Sequence, residues 1–445
     1  MARTHTSSRA PGERFGRVTV TRTAGFWLAT VVFVLLFAGA AAPSPLYGVY
    51  RAEWKFSAIV LTAVFATYAL FLLLTLLIFG SVSDYLGRRR VISVALVVNT
   101  VVCALFLTAH GVPQLFVARA VQGVAVGLAT SALGAALIDL QPEGSGLAAV
   151  FTNAGSLWGL AVGGLGASAL VQDAPAPTHL VWWFLLGISF AAALAVLTLP
   201  ETSAGHPNVL ASLRPSVGIP RQARATFART APVFGAAWAL NGFYLSLGPS
   251  LAGEVFRSPN LLWGGLVIFL LTAVAGITTV VVRARSALDA MMIGCIALFA
   301  GAAITFAAVA IRSPWVFLAG IGVAGIGVGA AFLGSFRVLS ALATPGERAR
   351  LIAAIFIATY TAFSVPVVIA GIATSRFGLH GTGLGYCAVL AALAALGLLS
   401  LLVQERSGPA TGDRSREWKN RSLTRPTAAP RSRSTPRCTE AEHHA

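Results

Sequence analysis

Apolar runs of span length follow one another along almost the whole chain, and that leaves few folds open to it. Twelve of them are read, at about 26–47, 56–79, 91–109, 113–138, 146–170, 179–199, 230–252, 261–282, 288–311, 314–338, 350–374 and 381–403. Each is about the length a helix needs to cross a bilayer. Inside a bilayer every backbone polar group must find a partner within the protein, so runs of this kind form helices. Charged residues are only 11% of the sequence, against about 25% in soluble domains. The expected fold class is an all-α membrane protein of twelve transmembrane helices.

A net charge of +17 would suit a nucleic-acid partner, but its placement argues against one. Most of the 32 Lys and Arg residues fall in the two tails and in alternate loops, which the positive-inside rule assigns to the cytoplasm. Only Arg51, Lys55, Arg257, Arg312 and Arg376 fall in the other loops, and Arg119 lies within a span. Both termini are therefore expected inside. The excess of Arg over Lys, with abundant Ala and Gly, fits a GC-rich bacterial genome and so a bacterial cytoplasmic membrane. The first 25 residues are polar and Arg-rich and lead into a run of full span length, so no cleavable signal is read. Cys103, Cys295 and Cys387 read as small core residues and Cys438 as an incidental thiol. There is no Walker sequence, no His/Cys metal spacing and no nucleophile–base pair, so no enzyme, cofactor or metal is expected.

The segment 200–229 carries four prolines and four arginines and reads as a cytoplasmic linker between two six-helix halves, 26–199 and 230–403. Residues 1–25 and 404–445 read as cytoplasmic tails, the second disordered and basic. Pro113-x-x-Phe116-x-Ala118 and Pro314-x-x-Phe317-x-Ala319 open spans 4 and 10 in the same way, which suggests that the halves are repeats.

Between spans 2 and 3 stands Gly80-Ser-Val-Ser-Asp84-Tyr-Leu-Gly87-Arg88-Arg89-Arg90. Two glycines permit close approach and a sharp turn, an acid is placed to pair, and three guanidiniums anchor the loop inside. This loop resembles the one between spans 2 and 3 in the major facilitator superfamily, G-x-x-x-D-x-x-G-R-[KR]. The resemblance implies two bundles rocking about a midplane cavity that opens alternately to either side. In span 4, Arg119-x-x-Gln122-Gly123 is similar to the superfamily's R-x-x-Q-G, whose Arg faces the cavity and is implicated in proton handling. Arg119 lies about 9 Å in from Pro113 at the helical rise, so it either meets a partner or a watery cavity, or snorkels outward. Asp139 follows about 30 Å further along the same helix, on the side of Asp84 and Arg88. The resemblance implies an Asp84–Arg88–Asp139 latch, with Arg89 beside it; the alternative is three exposed loop charges.

Span 5 carries Gly146, Gly155, Gly159, Gly163 and Gly164 in the register G-x8-G-x3-G-x-x-x-G-G. This resembles the motif of superfamily exporters, with Leu160 where the family has Pro. Glycines so spaced form a groove for close helix packing; Asn153 nearby reads equally as a cavity group or a helix contact. Trp238, Asn241 and Tyr244 in span 7 are taken as a substrate-facing stripe, with Tyr68 and Tyr360 as weaker candidates. Pro43 and Pro45 are expected to break span 1 near the outer surface, leaving Tyr47, Tyr50 and Trp54 in an interfacial belt. None of the 15 acids falls in a span interior: Asp139, Asp173 and Glu254 lie near span ends and Glu53 in a loop. Proton coupling would need an acid near the surface or Arg119 acting through water; otherwise the carrier is uncoupled. The loop Arg283-Ala-Arg285-Ser-Ala-Leu-Asp289, where a second copy of the anchor belongs, lacks its glycines.

The expected function is a monomeric secondary carrier that exports a small drug-like or amphipathic molecule, with protons as coupling ion. An uptake carrier for a sugar, metabolite or organic acid is the first rival; deleting the gene raises dye retention for an exporter and lowers nutrient accumulation for an importer. The second is a membrane sensor or scaffold on a carrier fold, which moves no solute in liposomes.

Overall fold

The computed structural model describes residues 19–203, 205, 213, 215–344 and 346–406, so most of both expected tails and Cys438 lie outside the described residues. The described residues are helical almost throughout, with no strand among them. The described residues up to Leu401 form one compact unit. In chain order its helices are α1 (Arg22–Ala41), α2 (Pro43–Trp54), α3 (Ala58–Phe79), α4 (Val82–Leu86), α5 (Arg88–Leu107), α6 (Val112–Leu140), α7 (Leu147–Asp173) and α8 (Leu180–Val196). There follow α9 (Arg224–Ser246), α10 (Gly248–Phe256), α11 (Leu262–Val282), α12 (Ala287–Ile311), α13 (Pro314–Ala341) and α14 (Arg348–Arg406). Among the described residues nine helices, with α1 and α2 taken as one, are long and apolar enough to cross a membrane. α8 is apolar but 17 residues long, and α14 bends at Gly378 (φ +71°) into two arms.

Local chemistry sets the ends. The Thr21, Ser57 and Ser286 hydroxyls accept hydrogen bonds from the first-turn amides of α1, α3 and α12. Proline, whose missing N–H costs nothing in the first turn, opens α2, α6, α10 and α13. Lys55, Arg257 and Arg312 close α2, α10 and α12 in the left-handed conformation. Two of these sites match: α1–α2 and α9–α10 are each a long helix, a break next to proline, a short helix and a basic left-handed cap.

Many large apolar residues are exposed along the helices. On α5, Val94, Val97 and Val101 form an exposed stripe at helical spacing, while Ile92, Leu96 and Cys103 are buried. A soluble helix would be polar on that outer face; apolar residues on both faces suit lipid. In the first half α6 packs on α3 and α5, and α1 on α7; in the second α13 packs on α12 and α11. α7 and α11 join the halves.

Candidate functional site

Between the halves lies a cavity of about 370 Å³. Phe33, Phe37, Phe65, Tyr68, Asn153 and Leu160 line it from the first half; Trp238, Asn241, Phe332, Phe336, Phe356, Tyr360 and Phe363 line it from the second. Trp238 stands edge-on to Phe332 and Phe363, with ring centroids 5.3 and 5.8 Å away, and tilts onto Tyr360 at 5.1 Å. Phe65 meets Phe363 at 5.2 Å across the boundary between halves. Among the described residues the lining holds no Asp, Glu, Lys or Arg.

The cavity is shut at one end by close approach of small residues. A Cβ on Gly371 of α14 would lie 3.0 Å from the Ala58 carbonyl oxygen and from Thr62 Cβ at the start of α3. One on Gly265 of α11 would lie 2.6 Å from Ser168 Cβ, and one on Gly164 2.6 Å from Ile268 Cγ2. The Leu261 amide donates to Gln172 Oε1 at 2.9 Å. Towards the other end lie Asn153, Phe332, Phe336 and Phe356, all part-exposed.

A charged cluster lies on that side, where α6 ends and α5 and α7 begin. Gly87 (φ +99°) turns the chain from α4 into α5, whereas Gly80 sits in ordinary right-handed helical geometry. Arg88 pairs with Asp84, donates from Nη1 to Ser83 Oγ at 2.9 Å and from Nε to Asp139 Oδ2 at 3.2 Å. Arg89 reaches the carbonyls of Leu197 and Leu199 beyond α8, at 3.4 and 3.3 Å. Sequence reasoning missed the residues that complete this cluster. Glu201 accepts from the Arg88 amide at 2.7 Å, Thr202 donates to Asp139 Oδ2 at 2.8 Å, and Ser203 donates to the Asp84 carbonyl at 2.8 Å. The available signal was an acid directly after Pro200, where span 6 returns to the Arg-rich face. In the second half Arg337 donates to the carbonyls of Arg283 and Arg285, at 3.2 and 3.0 Å, so a guanidinium there caps backbone carbonyls where Arg88 of the first half pairs with carboxylates. Hydrogen bonds from Thr344 and then Gln222 hold the Glu347 carboxyl below the usual range.

Arg119 neither snorkels nor lines the cavity; it is fully buried behind the wall. Its Nε donates to the Tyr47 hydroxyl and its Nη1 to the Ala40 carbonyl at 3.1 Å and Gln122 Oε1 at 2.6 Å. Gln122 Nε2 donates to the Gly39 carbonyl at 3.0 Å. Pro43, four residues on from Gly39, has no N–H to satisfy that carbonyl, so the break in span 1 creates the acceptor that span 4 uses.

Three expectations need correction. Tyr47 and Tyr50 are not in an interfacial belt: both are buried, the first on Arg119, the second accepting from Trp182 Nε1 at 2.9 Å. The prolines do break the helix, at Ala42, but the chain stays helical beyond them and α2 runs on to Trp54. Tyr244 leaves the span 7 stripe, buried with its hydroxyl 2.9 Å from Thr305 Oγ1. Steps of three turn by about 300°, so two steps carry Tyr244 about 120° away from Trp238. Gly146 caps α7 in left-handed geometry (φ +61°) and packs against nothing. Of the other span 5 glycines, Gly155 makes ordinary contact with Phe33, Gly159 and Gly163 seat α7 on the backbone of α1, and Gly164 faces α11.

A helical membrane protein with a central cavity between two halves is the class this geometry defines. The family model of the Major Facilitator Superfamily matches residues 28–288, and the chain belongs to that superfamily. It is a transporter of the secondary type, carrying small molecules across a membrane, and not an enzyme. Among solved structures it is similar to a bacterial homologue of the human lysosomal transporter Spinster in an inward-facing, unoccupied conformation, at TM-score 0.69 and 14% identity over 88% of this chain and 99% of that one. It is also similar to the nucleoside transporter NupG (TM-score 0.62, 13% identity, 84% and 98% covered). The human organic anion transporter MFSD10 is a third (TM-score 0.56, 18% identity, 86% and 99% covered). No curated protein matches the chain by sequence.

Proposed function

We propose a twelve-span carrier of a bacterial cytoplasmic membrane, both termini inside, that exports a small amphipathic or drug-like compound by alternating access in exchange for protons. The observation that carries this reading is the aromatic cavity walled by both halves and free of charged lining. Its volume is in the range of small-molecule sites, at roughly 300–1,000 Å³, and its walls favour an apolar body with a few polar groups. If the Arg88 cluster lies inside, the part-exposed end of the cavity faces the cytoplasm, the side from which an exporter loads. The seating of Gly159 and Gly163 on α1, in the span whose pattern resembles exporters, supports export. In this reading the Arg88 cluster steadies the first half while the second swings, and Asp84, Asp139 and Glu201 are the acids available for proton exchange.

Everted vesicles from cells making the chain, supplied with a fluorescent amphipathic dye and an imposed pH gradient, test it. The expected result is dye drawn into the vesicles, slowed at least about tenfold by Trp238→Ala and stopped by collapsing the gradient. Dye movement only in right-side-out vesicles would establish uptake instead, and transport indifferent to the gradient would remove the proton.

A further inference from the structure

Arg119 carries a charge that the fold does not answer. Its three hydrogen bonds go to neutral acceptors, and its Nη2, buried, has no partner. The rings of Tyr47, Tyr68 and Phe65 surround the guanidinium, 5.2, 5.2 and 6.0 Å from Cζ. Among the described residues no carboxylate pairs with it. Guanidinium groups keep their charge throughout the physiological range. Ring faces and neutral acceptors offset part of the cost of burying that charge; an anion would offset far more, because charge-assisted hydrogen bonds are about twice as strong as neutral ones. The site is one side-chain layer from the cavity: Ala40, Phe65 and Tyr68 border both.

We propose that the substrate is an amphipathic monoanion, its acid group paired with Nη2 of Arg119 and its apolar body held among the cavity's aromatic rings. The proposal rests on the carrier reading above and names the substrate class of the same cavity. Tyr68, whose ring borders both the cavity and the guanidinium, is the side chain that must turn aside to admit the acid. A single negative charge fits because Arg119 is the one cation buried beside the cavity among the described residues. Asn241 Oδ1, buried in the lining and without a partner, offers an acceptor for an N–H or O–H on the same molecule.

The test uses the full chain in nanodiscs and three matched probes: dansylglycine, its uncharged glycinamide, and the cationic dansyl ethylenediamine, with binding read from dansyl fluorescence. The carboxylate should bind at least about tenfold more tightly than the amide, the cation weakest, as expected for one charge-assisted hydrogen bond. Arg119→Gln should bring carboxylate and amide within about twofold of each other. If that variant does not fold, Arg119→Lys takes its place and should keep the order of the probes while narrowing the gap. Equal binding of carboxylate and amide by the unaltered chain, or a preference that survives Arg119→Gln, overturns the anion proposal and leaves the cavity reading standing. Failure of all three probes to bind overturns both.

Discussion

Arg88 uses the geometry of its guanidinium, and not only its charge. One nitrogen meets Asp84 and Ser83 while another reaches Asp139 on a different helix. A lysine carries a single compact ammonium and cannot span those partners at once. Half-exposed ion pairs contribute at most about 1 kcal/mol to folding, so we expect Arg88→Lys to fold at normal levels yet lose most of its transport, measured against membrane content of the protein. Undiminished transport in that variant, or in Asp84→Asn, would count against a conformational role for the cluster. The acids and the arginine of this site were legible because two short motifs and one helical rise suffice to bring them to the same side. Glu201, Thr202 and Ser203 were harder to read: an acid after Pro200 on the Arg-rich side hints at a partner, but a segment just past a span does not say which loop it will fold against. Tyr47 was hidden for another reason: its partner became visible only once α2 continued past the prolines and carried the hydroxyl inward.

At the scale of elements, the contact between α1 and α7 depends on the absence of two side chains. A Cβ on Gly163 would run into the Ala38 backbone, which cannot move without taking α1 with it, whereas one on Gly166 meets nothing within 4 Å. Alanine in place of glycine favours a helix by about 1 kcal/mol, and overpacking costs about 1–3 kcal/mol. Gly163→Ala should therefore lower the melting temperature of the purified protein, and Gly166→Ala should leave it unchanged or raise it slightly. Equal shifts in the two would remove the packing account. The spacing of the glycines was readable in the sequence, but the helices they face were not: Gly159 and Gly163 look to α1, Gly164 to α11 and Gly146 to solvent at a cap. That the chain would be mostly helical followed from apolar length, because a bilayer leaves long apolar segments little choice of conformation. The count of spans did not, since nine helices among the described residues are long and apolar enough to cross, and the helix expected at 230–252 runs instead over Arg224–Ser246.

For the whole molecule the decisive place is the shut end of the cavity, where α3 and α7 of one half meet α14 and α11 of the other. Alternating access requires this seal to part in every cycle, whichever direction the substrate moves. Thr62 and Gly371 touch there, and a Cβ on Gly371 would lie 3.0 Å from Thr62 Cβ, somewhat closer than the two carbons of a disulfide, which sit about 3.5–4.5 Å apart. A small outward adjustment of either helix therefore suffices for a bridge between cysteines at these positions. We expect Thr62→Cys with Gly371→Cys to form that bridge on mild oxidation, in a background where the native cysteines are replaced. Mass spectrometry would detect it, transport would stop, and reductant would restore it; each single variant would be indifferent to the oxidant. A bridged carrier that still moved substrate at its full rate would mean that the two halves do not separate here, and the rocking mechanism would have to pivot elsewhere.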